Sequence, residues 1–273
     1  MKITSVQTVV VNAQMRNWVF VKVETDQSGL WGWGEASLEW KTRAVIGAVA
    51  DFEPMLQGED PARIEHLYQK MYRQSFWRVG VIGMSAISGI EQALWDIRGK
   101  VLGQPVYQLL GGRVRDRVRM YKHLGGGNME AVYESERQED PGPMVDLARQ
   151  VVAKGYSAVK VLLTPPTETL ARASDLRRAE RFMRAMREGL GDDIDIMVDC
   201  HGRHFAGSAV EFCKVLAPYR PYFIEEPVPP ENVDAMAEVR APLARSHRDR
   251  RAPGDSLRVP PDTRKAGLSR HST

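Results

Sequence analysis

Apolar and polar residues alternate over 2–12 and again over 18–24, so each stretch reads as a half-buried strand. Asp26-Gln27-Ser28-Gly29 turns the chain, and Leu30-Trp31-Gly32-Trp33-Gly34-Glu35 begins a third strand, which makes an antiparallel meander. Helical periodicity follows over 41–56, 61–76 and 83–102, with Pro61 well placed at a helix start. The third of these has small residues on one face, which permits close packing. Its Glu91 and Asp96 read as pairing or capping groups rather than catalysts. Gly103, Pro105 and Gly111-Gly112 punctuate a boundary, so 1–112 is expected to form one α+β domain.

From residue 113 the style changes. Strand patterns at 118–124, 158–163, 195–198 and 222–224 are separated by helical patterns at 144–154, 170–190 and 207–217. Strand, helix, strand at this repeat is βαβ and predicts a parallel sheet. The strands so counted are half of the roughly eight that close a TIM-type barrel. Gly125-Gly126-Gly127 is not a phosphate loop, because no Lys-Ser or Lys-Thr follows at the required spacing. Residues 128–143 are polar, acidic and broken by proline, and read as a long loop serving as a lid or an oligomer contact.

Composition changes this picture in one place. The chain of 273 residues carries a net charge of +3, which invites a nucleic-acid reading. The charge is uneven, however: 241–273 holds eight Lys and Arg against three Asp, while 1–240 holds 30 basic and 32 acidic residues. A mildly acidic body gives nucleic-acid binding no support. No apolar run approaches a membrane span, and the alternating start leads us to expect no signal peptide. Cys200 and Cys213 make no disulfide framework, so the expected compartment is the cytoplasm.

Candidate chemistry concentrates between 196 and 230. Ile196-Met197-Val198 ends on Asp199, and Tyr222-Phe223-Ile224 ends on Glu225-Glu226. An apolar run that stops on a carboxylate is how a buried parallel strand presents a ligand at its C-terminal rim. One such carboxylate alone is ordinarily a helix cap or a solvated charge. Two on neighbouring strands, facing one cleft, suit Mg²⁺. His201, two residues past Asp199 and expected on the same face of an extended chain, is then a candidate acid/base beside the ion.

These residues resemble the enolase superfamily, mandelate racemase subgroup. Within it they are similar to the acid-sugar dehydratases of D-galactonate dehydratase type. The resemblance runs from 1 to about 240. Its marks are Met1-Lys2-Ile3-Thr4, Gly32-Trp33-Gly34-Glu35, Met84-Ser85-Ala86-Ile87 to Trp95-Asp96-Ile97, Leu110-Gly111-Gly112, Val159-Lys160, Asp199-Cys200-His201-Gly202-Arg203 and Ile224-Glu225-Glu226-Pro227. It implies an α+β capping domain (1–112) over a (β/α)₇β barrel, of which 113–240 is the first half. It also implies Mg²⁺ held by carboxylates after three successive strands, Asp199 and Glu225 being the first two, with His201 as acid/base and Lys160 and Arg203 at the substrate. The implied reaction is removal of the proton α to the carboxylate of a small sugar acid, then loss of the β-hydroxyl, in a homo-oligomeric enzyme. Lys160 is followed by Val161 and Leu162 rather than by a second base, which disfavours racemase chemistry.

After Arg240 the family pattern stops. Residues 241–273 are rich in Arg, Ser and Pro, have no aromatic residue and no strand or helix period, and are expected to be a disordered tail. Back-translated with synonymous codons and shifted by one nucleotide, 247–273 spells Ile-Ala-Ile-Gly-Glu and a family-like continuation. The expectation is therefore a frameshift near 240–242 and an inactive fragment that lacks the third carboxylate, the later barrel strands and the His that completes the dehydratase site. The competing readings are a dehydratase for another sugar acid, or a non-catalytic interaction fragment.

Overall fold

The computed structural model describes residues 1–74, 76–125, 137–165 and 170–246. The chain divides into two compact units, Met1–Val118 and Arg119–Thr273, a few residues past the exit expected at Gly112. The loop expected over 128–143 lies outside the described residues as far as 136, and the tail expected over 241–273 lies outside them from 247.

The first unit opens with an antiparallel sheet in the order β1 (Ile3–Ala13), β2 (Arg16–Thr25), β3 (Trp31–Glu35). Val19, Val21 and Val23 alternate onto one face of β2 and are fully buried. Against them pack α1 (Thr42–Leu56), α2 (Ile64–Gln74) and α3 (Gly80–Leu102), through Phe52, Leu67, Met71, Ile87, Ile90 and Leu94. A short α4 (Val106–Leu109) follows.

Gly32 and Gly34 let α3 come unusually close to β3. A Cβ added to Gly32 would lie 1.9 Å from the Ala93 carbonyl oxygen, and one added to Gly34 would lie 1.9 Å from that of Gly89. The outer edge of β3 is satisfied by side chains of α3. Trp33 N–H donates to Asp96 Oδ2 at 2.9 Å, Glu35 N–H donates to Gln92 Oε1 at 3.1 Å, and Lys100 Nζ donates to the Trp31 carbonyl at 2.7 Å. Asp96 thus acts as a pairing group, as its position in the helix suggested.

The second unit is βα repeats: β4 (Lys122–Leu124), α5 (Gly142–Ala153), β5 (Ala158–Val161), α6 (Ala173–Leu190), β6 (Asp195–Asp199), α7 (Ala206–Leu216), β7 (Phe223–Glu225) and α8 (Val233–Ser246). The four strands are parallel in the order β4-β5-β6-β7, as sequential βαβ crossovers require. Val159, Val161, Ile196, Val198 and Ile224 pack with Phe182, Met183, Met186, Phe212 and Leu216 in one core. The architecture is a three-stranded α+β unit followed by a four-stranded parallel sheet with its connecting helices.

Two elements differ from expectation. β4 is three residues long rather than the whole of 118–124: Val118, Met120 and Tyr121 are exposed and pair with no strand among the described residues. Regular structure continues past 240: α8 runs to Ser246 with Pro242 inside it, among the helix formers Ala241, Leu243 and Ala244. No helix among the described residues is long and apolar enough to cross a membrane.

Candidate active site

Parallel register sets the site. His123 pairs with Lys160, Lys160 with Met197, and Asp199 with Glu225. Side chains alternate along each strand, so Val159, Val161, Val198 and Ile224 go to the helix-packed core. His123, Lys160, Asp199 and Glu225 take the opposite face. Both carboxylates stand at the last residue of their strands, the position expected from the apolar runs that precede them.

The Lys160 ammonium lies between them. Its Nζ donates to Glu225 Oε2 at 2.8 Å and lies 2.9 Å from Asp199 Oδ2. Asp199 is buried, Lys160 largely so, and Glu225 about one-third exposed, so this pair of contacts is shielded from water on one side. Burial pushes the Asp199 carboxyl up, but the His201 ring and the Lys160 ammonium outweigh it and hold the group below the usual carboxylate range. Burial likewise opposes the charge on Lys160, yet Glu225 and Asp199 hold it well above an ordinary lysine.

His201 reaches the pair by another route than an extended chain. Its φ is 54°, in the left-handed region, and Gly202 follows at 64°. The His201 N–H donates to Asp199 Oδ1 at 3.1 Å, and Nε2 lies 3.5 Å from Asp199 Oδ2. The turn is tied to β7 by the Cys200 N–H donating to the Glu225 carbonyl at 3.0 Å and the Gly202 N–H to the Glu226 carbonyl at 2.8 Å. A left-handed non-glycine residue costs energy and persists where its surroundings fix it, as these bonds do here. Arg203 belongs to the same turn, its N–H donating to the Cys200 carbonyl at 3.3 Å, and its positive charge bears on His204.

His123 was missed by sequence reasoning, which left it inside a strand without a role. Its Nδ1 donates to the Gly125 carbonyl at 2.6 Å, which turns Nε2 away from the backbone. Burial lowers its proton affinity, and Lys160 adds to this. No local pattern could have found it, because its place opposite Lys160 is set by the register of the parallel pair.

The residues fit a divalent cation in part. Two carboxylates on adjacent strands already converge on one positively charged atom at hydrogen-bond distance. Among the described residues, no group of three or more His, Cys, Asp and Glu is placed to hold a metal ion.

Comparison with known proteins gives a consistent outcome. Residues 1–111 match the family described as mandelate racemase / muconate lactonizing enzyme, N-terminal domain. Residues 143–249 match the enolase C-terminal domain-like family. D-galactonate dehydratases of Xanthomonas oryzae pv. oryzae and Verminephrobacter eiseniae are each 40% identical over 252 residues, covering 91% of this chain and 62% of theirs. The chain thus spans under two-thirds of the length of these curated relatives. Among solved structures, an enolase from Pantoea ananatis with bound D-gluconate and Mg is 30% identical with a TM-score of 0.74, covering 88% of this chain and 63% of that one. An enolase superfamily member from Salmonella Typhimurium is 29% identical with a TM-score of 0.79, covering 95% of this chain and 66% of that one.

Proposed function

The chain belongs to the mandelate racemase/muconate lactonizing enzyme branch of the enolase superfamily, and from that premise we propose that it derives from a Mg²⁺-dependent sugar-acid dehydratase of D-galactonate type. The observation that carries this is the convergence of Asp199 and Glu225 on one cationic atom, with His201 Nε2 3.5 Å from Asp199.

Asp199 and Glu225 would hold the ion. When bound, Mg²⁺ supplies positive charge that stabilises the negative charge developing on the substrate carboxylate as the α-proton leaves. A free imidazole is far too weak a base to remove such a proton unaided. In this reading His201 takes the proton at Nε2, the turn at 201–202 holding the ring over the rim. Protonated His201 then stands ready to deliver that proton to the departing β-hydroxyl. Lys160 and Arg203 supply positive charge for the substrate carboxylate. With no base at position 162, only one face of the α-carbon is served, which suits elimination rather than racemisation.

The family's third carboxylate has no counterpart in the described residues. Two carboxylates hold Mg²⁺ weakly. We therefore propose that the 273-residue polypeptide turns over no sugar acid by itself, and that 241–273 is read out of frame. The full enzyme is proposed to be a homo-oligomer acting on a small sugar acid. Another sugar acid is the second reading, because a solved relative 30% identical to this chain is bound to D-gluconate.

The test is a version with the frame restored after residue 240, assayed with Mg²⁺ on D-galactonate and D-gluconate for 2-keto acid product. Turnover is expected, and His201→Ala should abolish it while the circular dichroism spectrum is unchanged. Full activity in His201→Ala would sink the acid/base assignment. Turnover by the 273-residue chain at an enzyme-like rate would overturn the reading of the tail.

A further inference from the structure

We infer that Lys160 is a built-in counter-cation for the carboxylate pair, competing with a divalent ion for Asp199 and Glu225 and becoming available to an anionic ligand only once the ion has displaced it. The inference rests on the reading of Asp199 and Glu225 as metal ligands.

The geometry is specific. Lys160 starts on β5, Asp199 ends β6, and Glu225 ends β7. Neighbouring strands lie about 4.8 Å apart, so the lysine stem spans β6 to bring Nζ to Glu225. There the ammonium contacts Asp199 Oδ2 at 2.9 Å and Glu225 Oε2 at 2.8 Å, so at least two of its three N–H donors face carboxylates. Two carboxylates ending adjacent strands repel each other, and one of them is buried. A single positive charge between them relieves that repulsion. It also fills the space in which both oxygens could meet an ion.

A divalent ion bound by the same two oxygens must therefore break both contacts and move a positive charge aside. The Tyr121 ring, whose centroid lies 5.6 Å from Nζ, offers an aromatic face on the β4 side towards which the ammonium can retreat. There it would lie on the His123 side of the sheet, free to meet a carboxylate. Ion first and sugar acid second is the order this imposes. Competition of this kind raises the apparent dissociation constant by the inverse of the fraction of molecules in which the carboxylates are released.

The experiment is a Mn²⁺ titration of the 273-residue chain, followed by the electron paramagnetic resonance of free Mn²⁺, for wild type, Lys160→Met and Lys160→Arg. Lys160→Met is expected to bind at least about tenfold tighter than wild type. Lys160→Arg, which keeps the charge, should bind no tighter than wild type. Thermal unfolding gives a second readout: without metal Lys160→Met should melt below wild type, and Mn²⁺ should raise its midpoint by more. Should Lys160→Met fail to fold without metal, recovery of its fold by Mn²⁺ supports the inference, and failure to recover overturns it. Equal affinity in wild type and Lys160→Met overturns the inference and leaves the metal site standing. Absence of Mn²⁺ binding in both overturns the inference, while the metal site itself is then tested separately by the same titration of the frame-restored protein.

Discussion

His204 should make the second unit sensitive to mild acid. Its ring is buried, Nε2 lies 2.9 Å from Thr164 Oγ1, and it packs on Phe212 with ring centroids 4.7 Å apart. Burial, helped by the positive charge of Arg203, brings its pKa from 6.5 down to about 4. The unfolded chain therefore takes up this proton first as pH falls. The stability tied to the neutral ring is fully present above pH 6.5 and is lost as pH drops towards about 4. The interval corresponds to roughly 3 kcal/mol, a large share of the stability of an ordinary domain. Urea unfolding from about pH 8 to about pH 4 measures it, with His204→Gln as the partner that cannot titrate in this range. All six tryptophans lie in the first unit and both cysteines in the second. Tryptophan fluorescence therefore reports the first unit, and exposure of Cys200 and Cys213 to a thiol reagent reports the second. The cysteine-detected stability of wild type should fall by about 3 kcal/mol more than that of His204→Gln over this window. Parallel losses in the two proteins would refute the reasoning.

Three further outcomes are expected. Gly34→Ala forces a methyl towards the Gly89 carbonyl and should cost about 1–3 kcal/mol or more, read by tryptophan fluorescence in urea; an unchanged midpoint would show that α3 gives way freely. Phe182→Ala empties a fully buried position and should cost about 3–5 kcal/mol, visible as early cysteine exposure. Asp96→Ala removes the acceptor of the Trp33 N–H and the partner of Lys100, and should lower the tryptophan-detected stability by about 1–3 kcal/mol, a loss that Asp96→Asn should reduce.

The strand ends were legible because two apolar runs stop abruptly on Asp199 and Glu225, a pattern that survives without any knowledge of neighbours. The βα alternation was legible for the same reason, since Val159, Val161, Ile196, Val198 and Ile224 are all core. What the sequence hid depends on partners distant along the chain. Residues 118–121 have the alternation of a strand but pair with no strand among the described residues, and β4 has three residues. His201 looked extended, and only the bonds from Cys200 and Gly202 to β7 fold the chain into a left-handed turn there. His123 gained meaning only from its register with Lys160. The placement of Lys160 between two acids follows from strand order, which no local pattern states.

The contact between α3 and β3 is a counting device. Gln92, Asp96 and Lys100 follow one another at four-residue steps, and the residues they serve, Glu35, Trp33 and Trp31, at two-residue steps in the opposite direction. Four residues of helix advance about 6 Å and two of antiparallel strand about 6.8 Å, so the two scales nearly coincide. The mismatch grows to about 1.6 Å over two steps, which side chains of three different lengths can absorb. One helix turn thus stands in for one strand repeat, and the helix closes the sheet as a fourth strand would. Such a vernier tolerates a slip only in whole divisions. Inserting one residue into 31–35 or 92–100 would put every later pair out of step, whereas a substitution disturbs one mark on the scale.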